Sequence, residues 1–140
     1  MGLHALYYLA LEPTTPHSAE EIAQFCGGSK AHLQKVLRKM VAAGFIAAKR
    51  GPGGGFYLPE QGERLHLLWV FELLGGPFTP QGCGLNHESP CLIGTMIDEL
   101  TLTLRDFLAD KTLDDLMKYE NKWPRIRLTV RALENGRRMN

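Results

Sequence analysis

Apolar residues recur along this chain at helical spacing, in short blocks separated by glycine and proline. Leu3, Leu6, Tyr7 and Ala10 fall at i, i+3, i+4 and i+7, which predicts a short helix ended by Pro13 and Pro16. Ser18, with Glu21 three residues on, reads as a capping box. It opens a helix from Ala19 to about Phe25 whose inward positions are Ile22, Ala23 and Phe25. Gly27-Gly28 makes the turn. Ser29 then caps a helix from Lys30 to Ala43, with Leu33, Val36, Leu37, Met40 and Val41 on one face and Gly44 closing it. The opposite face carries Lys30, Gln34, Lys35, Arg38 and Lys39. Two helices joined by a glycine turn, the second apolar on one side and basic on the other, have the helix-turn-helix layout.

Phe45 to Lys49 and Phe56-Tyr57-Leu58 read as two strands around the glycine-rich tip Arg50-Gly51-Pro52-Gly53-Gly54-Gly55, which makes a wing. A fourth helix is expected over Glu63 to Leu74, patterned by Leu65, Leu68, Phe71 and Glu72, with Trp69 and Phe71 in the core. His4 and His66, in apolar surroundings, read as packing residues. Gly75-Gly76-Pro77 ends that helix, and a loop rich in Pro, Gly and Cys runs to Cys91.

A longer helix follows, Leu92 to Ala109. Its Ile93, Ile97, Leu100, Leu104 and Phe107 step by four and three, like a coiled-coil seam. With Met96 and Leu108 beside it, the helix has more apolar surface than a small domain covers, so a second copy is the expected lid. Thr112 caps a last turn through Leu116. Beyond Lys118 the pattern is divided: Ile126, Val130 and Leu133 fit a helix, while Ile126, Leu128 and Val130 fit a strand. The fold expected is mainly α: a winged helix-turn-helix with a two-stranded β wing and a long C-terminal dimerisation helix. The chain divides into a DNA-binding domain (1–76), a cysteine-containing sensor loop (77–91), the dimerisation helix with its last turn (92–117) and a basic tail (118–140).

Composition narrows the class. At 140 residues and 44% hydrophobic, the chain builds one modest core. The run Leu67-Leu68-Trp69-Val70-Phe71 falls far short of the roughly 20 apolar residues of a membrane span. No Lys or Arg precedes the apolar start and no small-residue cleavage site follows it, so no signal peptide is expected. Three cysteines, an odd number, argue against a disulfide framework and for a reducing, cytoplasmic setting without membrane contact.

The net charge of +1 hides strong segregation. From Ser29 to Pro59 the bases are Lys30, Lys35, Arg38, Lys39, Lys49 and Arg50, with no acid among them. The segment from Glu60 to Met117 is acidic, and from Lys118 onward there are seven bases against two acids. A compact basic segment on an acidic body marks a local polyanion contact, or else a solvated helix face. Its placement on a helix-turn-helix and wing favours duplex DNA. Ser29, Lys30, His32 and Gln34 would reach phosphates and base edges in the major groove, with Lys35, Arg38 and Lys39 on phosphates. The wing would lie along the DNA backbone or in the minor groove, with Arg50 as the inserted base, and Gly51, Pro52, Gly53 and Gly54 bring its main chain close to the duplex.

Rival readings are weaker. A nucleotide phosphate loop needs a helix after the glycines, and here Phe56-Tyr57-Leu58-Pro59 follows. No carboxylate pair, Ser/His/Asp spacing or metal-hydrolase motif supports an enzyme. The alternative to a DNA-binding regulator is a protein-interaction winged-helix module without a cluster, its basic tail gripping an acidic partner.

Three stretches carry a family resemblance: Leu3-His4-Ala5-Leu6-Tyr7-Tyr8-Leu9-Ala10, Ser18-Ala19-Glu20-Glu21-Ile22-Ala23 and, above all, Arg50-Gly51-Pro52-Gly53-Gly54-Gly55-Phe56. With Gly75-Gly76-Pro77 and cysteines before a long helix, the chain resembles the IscR, NsrR and CymR regulators of the Rrf2 family from Leu3 to about Met117. The resemblance implies a dimeric, cytoplasmic bacterial transcription factor with a winged helix-turn-helix, binding a double-stranded DNA operator. Many members hold an iron–sulfur cluster that tunes DNA affinity, and others hold none. This loop departs from the cluster-holding pattern: it has Cys83 and Cys91 only, and Phe78-Thr79-Pro80 lacks a first cysteine. The chain also begins later than the pattern, without an upstream acidic ligand that some members use.

Three readings of the loop therefore stand. Cys83 and Cys91 could supply two ligands to an iron–sulfur cluster, with His87 or Glu88 nearby and His32 or His4 offered by a partner chain. They could act as redox-sensing thiols without metal, or have no sensing role. A cluster or thiols there would report redox, nitric oxide or iron–sulfur status. Cys26, after Phe25, reads as a small buried hydrophobe, and Trp123 as an anchor on its own domain.

Overall fold

The computed structural model of the chain describes residues 1–83 and 91–118. His87, Glu88, Trp123 and the divided pattern beyond Lys118 lie outside the described residues.

The order is α1 (Gly2–Leu11), α2 (Ala19–Cys26), α3 (Lys30–Ala42), β1 (Ala47–Lys49), β2 (Gly55–Tyr57), α4 (Leu67–Gly75), α5 (Leu92–Ala109) and α6 (Leu113–Lys118), with a 3-10 turn at Gly62–Arg64. The two strands pair antiparallel, Ala47 opposite Tyr57 and Lys49 opposite Gly55. This is the winged helix-turn-helix that the sequence pattern predicts. Both strands are shorter or shifted against expectation, because Phe45 and Ile46 turn inward before the hairpin begins, Ile46 being buried.

Ser18 and Glu21 form the capping box as expected: the Ser18 hydroxyl accepts from Glu21 N at 3.2 Å and the Glu21 carboxylate from Ser18 N at 2.7 Å. Ser29 occupies the N-cap of α3, but its hydroxyl makes no capping bond and stays exposed. One core joins the three N-terminal helices to the wing and the last helix. It holds Ala5, Leu6 and Leu9 of α1, Ile22 and Ala23 of α2, and Leu33, Leu37 and Met40 of α3, closed by Ile46, Leu58, Leu65, Val70 and Leu113. Burial of the larger of these side chains, each contributing about 1.5–3 kcal/mol, holds α2 and α3 together.

Several positions differ from the sequence reading. The buried stripe of α1 centres on Ala5, Leu6 and Leu9, while Leu3, Tyr7 and Ala10 flank it and His4 is exposed. Phe25 is 46% exposed and lies against Tyr7 and Tyr8. Trp69 is 53% exposed, since it points away from the Leu67, Leu68 and Val70 side of α4. The expected helix over Glu63 to Leu74 is broken at Leu65 and His66. There Leu67 N donates to Lys111 O (2.8 Å) and Leu113 N to Leu65 O (2.9 Å), a bridge that holds the chain extended before α4 begins. His66 sits in that bridge, its Nδ1 2.8 Å from Ala109 O and its ring edge-on to Trp69.

The α5 helix has the predicted bounds. Leu92, Ile93, Met96, Ile97, Leu100, Leu104 and Phe107 are all exposed. Leu108 is not among them: it turns inward and packs with Leu67 and Leu68 in a small second cluster. Thr112 caps α6 through Asp115, whose carboxylate accepts from Thr112 N (3.0 Å) and Oγ1 (2.9 Å).

Candidate nucleic-acid interface and cysteine pair

The exposed face of α3 is built by what the helix leaves out of the core. Because Leu33, Leu37 and Met40 face inward, helical geometry turns His32, Lys35, Arg38 and Lys39 outward, all exposed, with Gln34 half-buried beside them. Lys30 is also exposed, but it pairs with Glu20 of α2 at 2.5 Å. Both partners of that bridge are about half exposed, so it contributes about 0–1 kcal/mol. The pair is weak enough for a phosphate to displace. His32, Lys35 and Lys39 also border a hollow against Met1, Val36 and Leu74.

The wing extends this surface. Lys49, Arg50, Gly51, Pro52 and Gly53 are exposed at its tip. Gly51 (φ +94°) and Gly53 (φ +68°) adopt left-handed backbone, which a side chain would strain. At Gly54 a Cβ would meet Lys49 O at 2.3 Å, so the tip can close only with glycine there. The narrow tip and its exposed base follow from these glycines.

A feature with no sequence signal fastens the wing. His17 N donates to Phe56 O and Phe56 N to His17 O, both at 2.8 Å, adding a third extended segment to the sheet edge. The His17 ring is nearly buried, stands edge-on to Tyr8, and its Nε2 lies 4.0 Å from a Glu12 carboxylate oxygen.

The second site lies at the amino end of α5. Cys91 is the N-cap of that helix, and its sulfur accepts from Gly94 N at 3.5 Å. This bond and the donating thiol of Cys83 hold the Cys91 thiol below its ordinary pKa. Cys83 reaches it because Gly94 is buried and has no side chain: a Cβ on Gly94 would stand 2.9 Å from the Cys83 Cβ. Sequence reasoning missed Gly94. It also missed Asp98, whose carboxylate accepts from Gln81 N (3.0 Å) and Gly82 N (3.1 Å), and Glu72, which accepts from Phe78 N (3.3 Å). Phe78 stacks edge-on against Phe71 of α4. Residues 78–83 therefore form a strap from α4 to α5. The bonds to Asp98 come from residues distant in sequence, so no local pattern announces them.

Cys26 is half-buried against the core, and burial pushes its thiol pKa up, as suits an unreactive packing residue. The three cysteines are free thiols.

A cluster needs about four protein donors, thiolates above all. Among the described residues, no group of three or more His, Cys, Asp or Glu stands together. His32 and His4, on α3 and α1, are not brought to the thiols in such a group, and His87 lies outside the described residues. The described donors of one chain thus amount to two thiols and do not by themselves fit a cluster.

A family model described as "Rrf2: Iron-dependent Transcriptional regulator" matches residues 1–119. The chain belongs to the Rrf2 family. BadM of Rhodopseudomonas palustris, assigned as an HTH-type transcriptional regulator, is 36% identical over 107 residues, 73% of this chain and 69% of its own. The HTH-type transcriptional repressor NsrR of Streptomyces coelicolor is 28% identical over 93 residues, 65% of this chain and 62% of its own. In structure, this Rrf2 protein superposes on CymR, the global cysteine regulator of B. subtilis, with a TM-score of 0.70. That match covers 84% of this chain and 91% of CymR at 24% identity, and it shows the shared fold. Rrf2 proteins are transcriptional regulators and not enzymes, which fits the absence of a catalytic motif in the sequence. No helix among the described residues is long and apolar enough to cross a membrane.

Proposed function

We propose that this Rrf2 protein is a cytoplasmic, homodimeric regulator that reads a two-fold DNA operator with α3 and its wing. The observation that carries the reading is the set of bases Lys35, Arg38, Lys39 and Arg50, all exposed, in a segment from Ser29 to Pro59 that has no acid of its own. In a dimer the two reading helices would lie about 34 Å apart, one DNA turn. Ser29, Lys30, His32 and Gln34 enter the major groove, and Arg50 with Gly51, Pro52, Gly53 and Gly54 follows the adjacent backbone. The unpartnered face of α5 pairs with its copy, because eight large apolar side chains from Leu92 to Phe107 stand in solvent otherwise. The divisions at 76, 91 and 117 mark the reading unit, the input loop and the pairing element. The basic tail beyond them adds charge for DNA or an acidic partner, although Lys118 is already engaged by Asp114.

Selection from a random duplex library tests this reading, followed by fluorescence anisotropy on the recovered site over a range of salt. Lys35→Ala and Arg50→Ala should each weaken binding and reduce the salt slope by about one unit per lost phosphate contact. Unchanged affinity and slope in both variants would sink it.

The input enters at the loop that carries Cys83 and Cys91. A second reading puts iron there, favoured by the family's description as iron-dependent and by two cysteines that meet at Gly94. The missing ligands would come from outside the described set. The absorption spectrum of protein purified without oxygen decides it: thiolate-to-iron bands lost in Cys83→Ala and Cys91→Ala support iron, and a colourless sample removes it.

A further inference from the structure

The strap 78–83 ties two sulfurs to two mechanical elements. At one end Cys83 and Cys91 both stand against Gly94: a Cβ there would lie 2.9 Å from the Cys83 Cβ, and the Cys91 sulfur accepts from Gly94 N at 3.5 Å. At the other, Phe78 rests on Phe71 and its N–H is held by Glu72, both on α4, the helix that packs against reading helix α3. Between them Asp98 of α5 holds the strap by two main-chain bonds. Both thiols are half-buried, and both meet the same glycine, Gly94.

We propose that Cys83 and Cys91 form a reversible intrachain dithiol–disulfide couple, oxidised by hydroperoxides without any metal, and that closing it changes operator affinity. For that last effect the proposal rests on the DNA reading above; for the bond itself it does not.

The geometry supplies the order of events. Cys91 sulfur, held by the Gly94 N–H at the helix cap, attacks the terminal oxygen of the hydroperoxide. The S–O bond forms as the O–O bond breaks, and the alcohol (water, from hydrogen peroxide) leaves with a proton. Cys83 sulfur, held against the same glycine, then attacks the Cys91 sulfenic sulfur. The S–S bond forms, the S–O bond breaks, and water leaves carrying the Cys83 proton. In sum two thiols and one hydroperoxide give one disulfide, one alcohol and one water: the sulfurs lose two electrons and the O–O bond gains them. A thiol reductant reverses the state by disulfide exchange.

Closure has a mechanical consequence. The S–S bond is about 2.05 Å, well inside the contact distance of two unbonded sulfurs. The Cys83 end of the strap must therefore move toward the cap of α5. Gly94 already stands against Cys83, so the displacement runs back along the strap to Phe78, Phe71 and Glu72, and so to the α4–α3 contact.

The test uses the full chain, reduced and freed of reductant, then treated with hydrogen peroxide as the probe. Peptide mapping without reduction should link Cys83 to Cys91 within one chain, leaving Cys26 as the one free thiol. Operator affinity should change by at least about five-fold, the lower end of typical coupling between sites, and return on reduction. Cys83→Ser and Cys91→Ser should each lose both effects, while Cys26→Ser keeps them. A peroxide adduct that stays on one sulfur, or a link between chains, overturns the couple. A correct link with unchanged DNA affinity overturns its regulatory role. If the reduced protein binds no DNA, the DNA reading has failed, and the peptide map alone then decides the couple.

Discussion

His17 and Phe56 exchange two main-chain hydrogen bonds of equal length, 2.8 Å each, across forty residues of chain that contain the whole reading helix. The wing is therefore anchored at its root to the loop between α1 and α2. Its neighbour Gly55 makes the approach feasible: a Cβ there would lie 2.3 Å from His17 O and 2.9 Å from His17 N. Gly55→Ala should open the bridge and destabilise the protein by about 1–3 kcal/mol, the usual cost of overpacking. A thermal melt reads the loss, and DNA affinity should fall with it. An unchanged melting temperature would contradict the anchoring.

Glu20 restrains a base on the reading surface. Its pair with Lys30 is exposed, and a DNA phosphate must compete with it. Glu20→Gln should thus strengthen DNA binding by up to about five-fold, matching an exposed pair's ~1 kcal/mol. Salt should erase the gain. Anisotropy at low and high salt checks it, and weaker binding at low salt would place Lys30 away from the duplex.

Dimerisation through α5 predicts a sharp response at its centre. Leu100 is 61% exposed, and a charge placed there would sit in the seam. Leu100→Glu should give a folded monomer by analytical ultracentrifugation, with helical content unchanged and affinity for a two-fold operator much reduced. A dimer that survives Leu100→Glu together with Ile97→Glu would move the interface elsewhere.

Two capped carboxylates set the acid limit. Bonds from the Ser18 backbone and hydroxyl hold Glu21 below its ordinary pKa, and bonds from Thr112 do the same for Asp115. A pKa lowered by folding stabilises the protein above the unfolded value, and the gain is lost as pH falls through the folded value. Stability should therefore drop on acidification below the ordinary carboxylate range. Ser18→Ala should cost about 1 kcal/mol at neutral pH and flatten that acid slope. Urea melts across pH report both, and an unaltered slope would mean that the box contributes nothing.

Gly94 separates helix propensity from thiol geometry. Replacing glycine by alanine inside a helix gains about 1 kcal/mol. Here the new Cβ would meet Cys83 at 2.9 Å and push the strap away. Gly94→Ala should leave α5 intact yet slow disulfide formation under peroxide, measured by free-thiol titration over time. Oxidation at the wild-type rate would show that the strap accommodates the methyl group.

The parts legible in the sequence were those set by neighbours along the chain. The period of Leu33, Leu37 and Met40 fixes which face of α3 is basic, and Ser18 with Glu21 locates the start of α2. The wing followed from glycines that only a tight tip requires. What escaped depends on distant partners. Nothing near Leu65 announces that Lys111 and Leu113 will hold it extended, so the fourth helix was expected to begin too early. Aromatic character alone suggested burial for Trp69 and Phe25, but helix orientation leaves both half in solvent. Leu108 sat beside the apolar seam of α5 by spacing, yet it faces Leu67 and Leu68. At the thiols, sequence supplied Cys83 and Cys91 and left out Gly94, whose missing side chain lets them meet.

The bridge from Leu65 and Leu67 to Lys111 and Leu113 grips the chain just past the end of α5, next to the inward-facing Leu108. From Leu108 back to Gly94 the helix runs about 21 Å, at 1.5 Å per residue. It behaves as a lever whose fulcrum is fixed to the DNA-reading unit and whose far arm carries the thiols. A tilt of about ten degrees at the fulcrum would sweep that arm through about 4 Å. In the proposed dimer, by the same ratio, a small shift along the α5 seam would reach the thiols enlarged, and a push at the thiols would arrive at the fulcrum as torque.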